Sequence, residues 1–376
     1  GFKIDGHIQR KIFFYSNFWA GHFGGNEDYL RSSKLIDCWT QASDDSTQVF
    51  LDNVYGKIEY NIKPYWSVSV GRGKYEIGNN IGGSIILNDD SNDYGYFSTK
   101  FDFNKVYIHF LHASLVADST LGGYKDYPDK FLAVHKMGFT LNDYFEVFIG
   151  EHVVYGNRGI DASYLIPFTF WRPTEHNLSD RDNVLIFTGL NIKPFREHHL
   201  IYTNFIFDEL SKSKILSDWW GNKYAIQIGN SYKFAKRKNN RITMEFTAVR
   251  PWLYTHKYIW NKFSNDDIGL GFPLGSNLIN YALEINWEFL RNLTTNLHLS
   301  FTRQGSVGND FSINYNCRPS DTAKWLEGDI TNYKKARLII DWKPLSHHHF
   351  KFGFGLFQTD DEDFEKELSI SYQARY

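Results

Sequence analysis

Two stretches of the chain hold the side chains best suited to chemistry. Residues 153–182 carry Tyr155, Arg158, Asp161, Tyr164, Trp171, Arg172, Glu175, Asp180 and Asp182, and residues 250–280 add Arg250, Trp252, Tyr254 and His256. Aromatic faces stack on the C–H surfaces of sugar rings, while guanidinium and carboxylate groups make paired hydrogen bonds to hydroxyls and acids. Binding residues concentrate on loops, so the two stretches together point to a polysaccharide-binding surface. Taken singly, each residue has a plainer reading, as an aromatic anchor at a membrane interface or a charge paired within a lid.

Other chemistries find less in the sequence. Gly71, Arg72 and Gly73, followed by Gly78, Gly82 and Gly83, lack the Gly-Lys-Ser/Thr and the following helix of a phosphate loop. Turn and barrel-corner glycines explain them better. His347, His348 and His349 are adjacent, so a strand would point them to alternating faces, unlike spaced metal ligands. His198 and His199 read the same way, as a solvated turn, and we expect no metal and no cofactor. The carboxylate pairs Asp208–Glu209 and Asp266–Asp267 suit solvated loops, and no G-x-S-x-G nucleophile signature occurs. An enzyme is not expected. Cys38 and Cys317 stand far apart, either as free thiols or as one disulfide.

The elements that must position the loops are strands. Tyr281, Leu283, Ile285, Trp287 and Phe289 alternate with Ala282, Glu284, Asn286 and Glu288, and Ile242, Met244, Phe246 and Ala248 alternate with Arg241, Thr243, Glu245 and Thr247. Carboxylates on one strand face would be costly in a dry core. They fit a watered lumen. About sixteen such segments of 8 to 13 residues follow one another, joined by seven short and eight long connections in alternation. The short ones lie at 61–66, 102–106, 141–145, 193–199, 235–241, 291–296 and 343–349, and the long ones near 17–46, 74–94, 116–130, 153–182, 208–222, 250–280, 304–333 and 358–365. This count places both termini on the short-turn side.

These features predict an all-β fold, a transmembrane antiparallel β-barrel of 16–18 strands with short periplasmic turns and long extracellular loops. A propeller or a large sandwich would not impose that alternation. The final LSISYQARY, in phase to Tyr376, reads as a closing barrel strand. Aromatic residues make up 18% of the chain, enough for interfacial girdles. Mean hydropathy is −0.44 and no window of about 18 apolar residues exists, which excludes spanning helices but not spanning strands. A net charge of −2 gives nucleic acid no electrostatic hold. No linker divides the chain, so residues 1–376 are expected to form a single domain, and GFKIDGHIQRK lacks the pattern of a signal peptide, so any such peptide is expected to have been removed or never to have been part of this sequence.

Beyond periodicity, six blocks in order resemble the Wzi capsule-assembly family: VSVGRGKYEIGNNIGGSIILNDD at 68–90, EHVVYGNRGIDASYLIPFTF at 151–170, DRDNVLIFTGLNI at 180–192, FIFDEL at 205–210, MEFTAVRPWLYTH at 244–256 and GLGFPLGSN at 269–277. The resemblance runs from about residue 47 to about 310. It implies a bacterial outer-membrane lectin, seated in outer-membrane lipid, that retains or assembles capsular or extracellular polysaccharide at the cell surface without turnover. It also implies eighteen strands. Two departures stand out: the family's N-terminal helical segment has no counterpart, and SIILNDDSNDYGYF replaces a Leu-rich run. The alternative is a porin or solute channel whose ion preference would be set by Glu245, Glu284 and Glu288. A scaffold binding export machinery or another outer-membrane protein comes third.

Overall fold

The computed structural model describes residues 1–24, 48–118, 126–209, 213–215, 217–234, 240–345, 347–360 and 362–374. Among them one 17-stranded antiparallel sheet dominates. Its strands are β1 (Phe2–Ile8), β2 (Ile12–Gly24), β3 (Gln48–Lys63), β4 (Trp66–Gly73), β5 (Tyr94–Asp102), β6 (Val106–Leu115), β7 (Lys130–Asn142), β8 (Phe145–Gly156), β9 (Asn183–Ile192), β10 (His199–Glu209), β11 (Lys223–Lys233), β12 (Arg241–Val249), β15 (Leu278–Leu290), β16 (Leu293–Gly305), β17 (Ile330–Leu345), β18 (His348–Thr359) and β19 (Glu365–Ala374). A separate two-stranded ribbon, β13 (Ser264–Asn265) with β14 (Ile268–Gly269), sits in the loop between β12 and β15. Each strand of the large sheet from β1 to β18 pairs with the next strand of that sheet, as in Tyr281 opposite Phe301 and Phe352 opposite Ile370.

The extra strand relative to sixteen comes from the start of the chain. Residues 2–24 form a hairpin whose turn at Gln9 and Arg10 has φ of 48° and 55°, closed by the Lys11 N–H donating to the Ile8 carbonyl at 3.0 Å. Both central residues are left-handed, as type I′ geometry requires, yet neither is the Asn, Asp or Gly that usually marks such turns. With seventeen strands, the N-terminal end of β1 lies at the long-loop end, not on the short-turn side. The remaining short and long connections fall where the alternation placed them.

The two faces of the sheet are inverted relative to a soluble protein. Ile58, Val70, Met244, Tyr281 and Ile370 are each more than half exposed on the outer face. Inside, Asn204 donates to Gln227 at 2.9 Å, Gln227 to Thr247 at 3.2 Å and Thr302 to Asn280 at 2.8 Å. This is a lipid-facing wall around a polar lumen.

The sheet curls around the segment that follows β4. Residues 74–93 leave β4 and reach β9 to β12: Asn79 donates to Asn191 at 2.8 Å, the Ile81 N–H to Glu245 at 3.0 Å, and Gln227 to the Gly83 carbonyl at 2.9 Å. Strands that far along the sheet can touch this segment only across a lumen. Ile77, Ile85, Ile86 and Leu87 join Leu253, Tyr254, Phe263, Leu270 and Phe272 of the loop between β12 and β15 in a buried apolar core. The loop end of the lumen is thus packed. Its turn end keeps two cavities of about 500 and 580 Å³ that share Arg241, with Lys193, Arg196, Lys233 and Lys351 outnumbering Asp143, Glu146 and Asp341 in their walls.

Candidate functional site

The structure separates the two groups of sequence-selected residues. The first forms a lobe of residues 157–182 that lies on the outside of the barrel wall. Alternation along β8 sends Glu146 and Phe148 to the lumen and Glu151, Val153 and Tyr155 outward, where the lobe covers them. A short helix, α1 (Trp171–Asn177), sits over Glu151, whose carboxylate accepts from the Trp171 N–H at 2.7 Å and the Arg172 N–H at 3.3 Å and lies 3.0 Å from His135 Nε2. Trp171 is fully buried and stacks on His135 with centroids 4.0 Å apart.

The lobe's charges are spent on holding it in place. Arg158 donates to both oxygens of Asp182, at 2.8 and 2.7 Å, and the Tyr164 hydroxyl donates to the same carboxylate at 2.7 Å. Asp161 caps a 3-10 turn through the Ser163 N–H at 3.0 Å. Tyr155 is buried with its hydroxyl 2.7 Å from His112 Nε2. Arg172 reaches Glu175 at 3.3 Å. Burial pushes the Glu175 carboxyl up to about 7, with Arg172 pulling the other way and Asp180 reinforcing the rise. Glu175, His176 and Asp180 place ligand atoms within 4.8 Å of one another, but the Arg172 guanidinium already sits on Glu175. Tyr155, Tyr164 and Trp171 therefore present no open face to a sugar.

The second group lies at the mouth of the barrel. Arg250 is buried and donates to the carbonyls of Asn222 and Ala323, at 3.3 and 2.7 Å. Trp252 and Tyr254 are buried with φ of 68° and 73°, rare for bulky side chains. Gly308 explains the first: its own φ is 68°, and a Cβ there would lie 2.6 Å from the Trp252 ring, so the indole needs a glycine beneath it. Tyr254 reaches down to donate to the Ile85 carbonyl at 2.7 Å, tying the mouth to the luminal segment. Burial pushes His256 down to about 4, so it is neutral at physiological pH.

His256 leads to the partly open aromatic cluster that sequence reasoning missed. Its ring meets the edge of Tyr315, and Tyr315 stacks on Trp220 with centroids 5.3 Å apart. The Arg318 guanidinium lies 3.9 Å from the Trp220 ring centroid, and Lys223 Nζ lies 4.6 Å from that of Tyr315. Tyr258 and Trp260 form a second, nearly parallel stack at 5.4 Å. Two loops far apart in sequence are joined here by a bridge between Trp219 and Thr322 and by the Trp220 N–H donating to the Asp321 carbonyl at 3.1 Å. Lys223 is held by Asp208 and Arg318 by Asp321, which fixes cations beside the rings. The paired Trp at 219 and 220 was the sequence signal available.

The other sequence-flagged groups are structural. His349 lies 2.7 Å from Asp341, His348 is 2.6 Å from the Tyr372 hydroxyl, and His199 is 2.9 Å from Asn230. Asp266 accepts from Asn92 at 2.8 Å, and the Asp267 N–H donates to Asp118 at 3.2 Å, locking the β13–β14 ribbon to the rim. Glu245 accepts from the Tyr202 hydroxyl at 2.6 Å as well as from Ile81, so it anchors the luminal segment instead of lining an open pore. Cys317 is an exposed free thiol, while Cys38 and Tyr376 lie outside the described residues.

No protein-family model matches the chain, and no curated protein does. Solved structures do. Wzi, an outer-membrane protein involved in group 1 capsule assembly in Escherichia coli and described as a carbohydrate-binding β-barrel, aligns with a TM-score of 0.59 at 13% identity, over 97% of this chain and 80% of that one. Acinetobacter baumannii OccAB4 aligns with a TM-score of 0.55 at 9% identity, over 99% and 88% of the two chains. Pseudomonas aeruginosa OccK9 (OpdG) aligns with a TM-score of 0.54 at 9% identity, over 99% and 89%. Identities this low establish the fold alone: with the inverted faces of the sheet, the chain is a transmembrane β-barrel with the fold of these outer-membrane proteins.

Proposed function

We propose that this barrel is a cell-surface lectin that retains or assembles capsular or extracellular polysaccharide, without catalytic turnover. The observation that carries the reading is the rim cluster of Trp220, Tyr315, Arg318 and Lys223 above a lumen packed by residues 74–93. Partly exposed aromatic rings beside the Arg318 guanidinium suit the apolar faces and acidic groups of a charged polysaccharide, while Lys223, buried against Asp208, supports the Tyr315 ring. Each contact is weak, and retention comes from many repeats of one polymer meeting many copies of the protein. The described likeness to a carbohydrate-binding barrel supports the same reading. Of the residues selected from sequence, His256, Arg250, Trp252 and Tyr254 serve the site by supporting the rim; Tyr155, Arg158, Asp161, Tyr164, Trp171, Arg172 and Glu175 support the lobe.

A solute channel is the second reading, favoured by the basic cavities at the turn end of the lumen. Two measurements separate them. Gene deletion under monitored synthesis should shed polymer into the medium if the barrel retains polysaccharide, and unchanged retention removes that role. Bilayer recordings of the purified protein should show no steady open pore, and a steady one would favour the channel.

A further inference from the structure

One edge of the lobe on the outer wall is built inside out, although His176, Asn177, Asp180 and Arg181 are exposed elsewhere on it. The lobe buries Glu151, Glu175 and Asp182, while Ile160, Leu165, Ile166, Phe168 and Phe170 stand 41–69% exposed. A lobe surrounded by water would place these groups the other way round.

Strand register fixes its height on the wall. Thr99, Phe110, His135, Glu151 and Ile186 form one row across β5 to β9, and Glu151 is near the middle of β8. Phe110 points outward yet is buried, because Trp171 stands over it with centroids 6.2 Å apart. Two residues nearer the turn end, Ile149 is bare on the same face. The lobe therefore covers the loop half of the lipid-facing wall and stops where the bare wall continues. At that border Phe168 packs against Phe101 of β5, centroids 5.6 Å apart, making the lobe's exposed face continuous with the barrel's apolar surface.

We propose that the apolar edge of the lobe, residues 160–170, is seated in the outer leaflet, with Leu165, Ile166, Phe168 and Phe170 against lipid acyl chains, while exposed His176, Asn177, Asp180 and Arg181 keep the remainder of the lobe in contact with headgroups and water. In that setting the Arg158 fork on buried Asp182 and the Trp171 and Arg172 N–H groups on Glu151 are a requirement, since a carboxylate left facing hydrocarbon is costly. The lobe widens the barrel's grip on one leaflet, on the side of β5 to β9. This inference does not depend on what the rim binds.

The test uses the full chain with Cys38→Ser and Cys317→Ser as background, reconstituted in phosphatidylcholine vesicles. A single cysteine at Phe168, and separately at Phe170, carries an environment-sensitive nitrobenzoxadiazole label. Ile149→Cys on the bare wall and Thr322→Cys at the rim serve as references. The proposal expects blue-shifted emission at both lobe positions and quenching by acyl-brominated phosphatidylcholine equal to that at Ile149→Cys. Water-like emission without quenching, as at Thr322→Cys, overturns it. So does blue-shifted emission that brominated lipid fails to quench, which would mean that a second copy of the protein covers the lobe.

Discussion

Replacing Asp182 by Asn should release the lobe from the wall while leaving the barrel intact. The change keeps the side chain's volume, so no cavity forms, but it removes the charge that accepts two Arg158 bonds and the Tyr164 hydroxyl. Hydrogen bonds to charged groups contribute about 1.5–3 kcal/mol net, and orphaning one partner of a buried pair costs about 3–5 kcal/mol. Arg158 retains 20% exposure and has Asp161 3.5 Å away as a second acceptor, which brings the expected cost toward the low end. About 3 kcal/mol corresponds to roughly a hundredfold rise in the open population. Trypsin reads that population while cleavage is slow relative to reclosing. Cuts at Arg158 and Arg181, scored by mass spectrometry, should accelerate by that factor, whereas Arg172 is protected by Pro173. Asp161→Asn, which disturbs chiefly a cap, should accelerate them only severalfold. Wild-type cleavage rates in Asp182→Asn would refute the reasoning, and so would cleavage spread along the barrel strands, which would mean that Asp182 stabilises the whole molecule.

Three further outcomes follow from particular contacts. Because burial raises the folded-state carboxyl of Glu175 from 4.5 to about 7, the folded state holds the proton longer than the unfolded one, so stability falls as pH rises through that window and then levels off. The span is on the order of 3 kcal/mol, and a Tm difference between Glu175→Gln and wild type that widens from about pH 5 to about pH 7.5 would show it. Gly308→Ala should destabilise the mouth by about 1–3 kcal/mol through left-handed strain alone, with the Trp252 clash added; an unchanged Tm would contradict the fit of ring over glycine. Glu245→Ala removes the acceptor for the Ile81 N–H and the Tyr202 hydroxyl, and intermittent conductance in planar bilayers should appear as residues 74–93 loosen. Silent bilayers would mean that the remaining contacts suffice to hold the segment.

Wall and lumen were legible because strand alternation is local. Tyr281 and Trp287 face lipid and Glu245 and Glu284 face inward as their spacing required, and the short turns fell at the expected strand ends. The first hairpin was not legible, since Gln9 and Arg10 adopt left-handed φ without the residues that advertise it. Nor could a single sequence say which loop aromatics pack inward. Trp171 and Trp252 share composition with an open binding surface, yet both are buried, one by a wall and one by a loop that lies distant in the chain. Trp220 and Tyr315 are 95 residues apart in the numbering, and only the bridge between their loops makes them one surface. Contacts of that kind depend on tertiary geometry, which periodicity does not encode.

The central claim is that the rim holds polysaccharide. Purified protein immobilised on a sensor surface should bind extracellular polysaccharide released from its own bacterium. Binding should weaken with salt, as expected for the partly exposed Arg318 guanidinium beside Trp220. Trp220→Ala should reduce it at least tenfold through the multivalent readout, while Tyr155→Phe, remote on the wall, should leave it unchanged. Absence of binding, or equal binding by Trp220→Ala and wild type, would contradict the account.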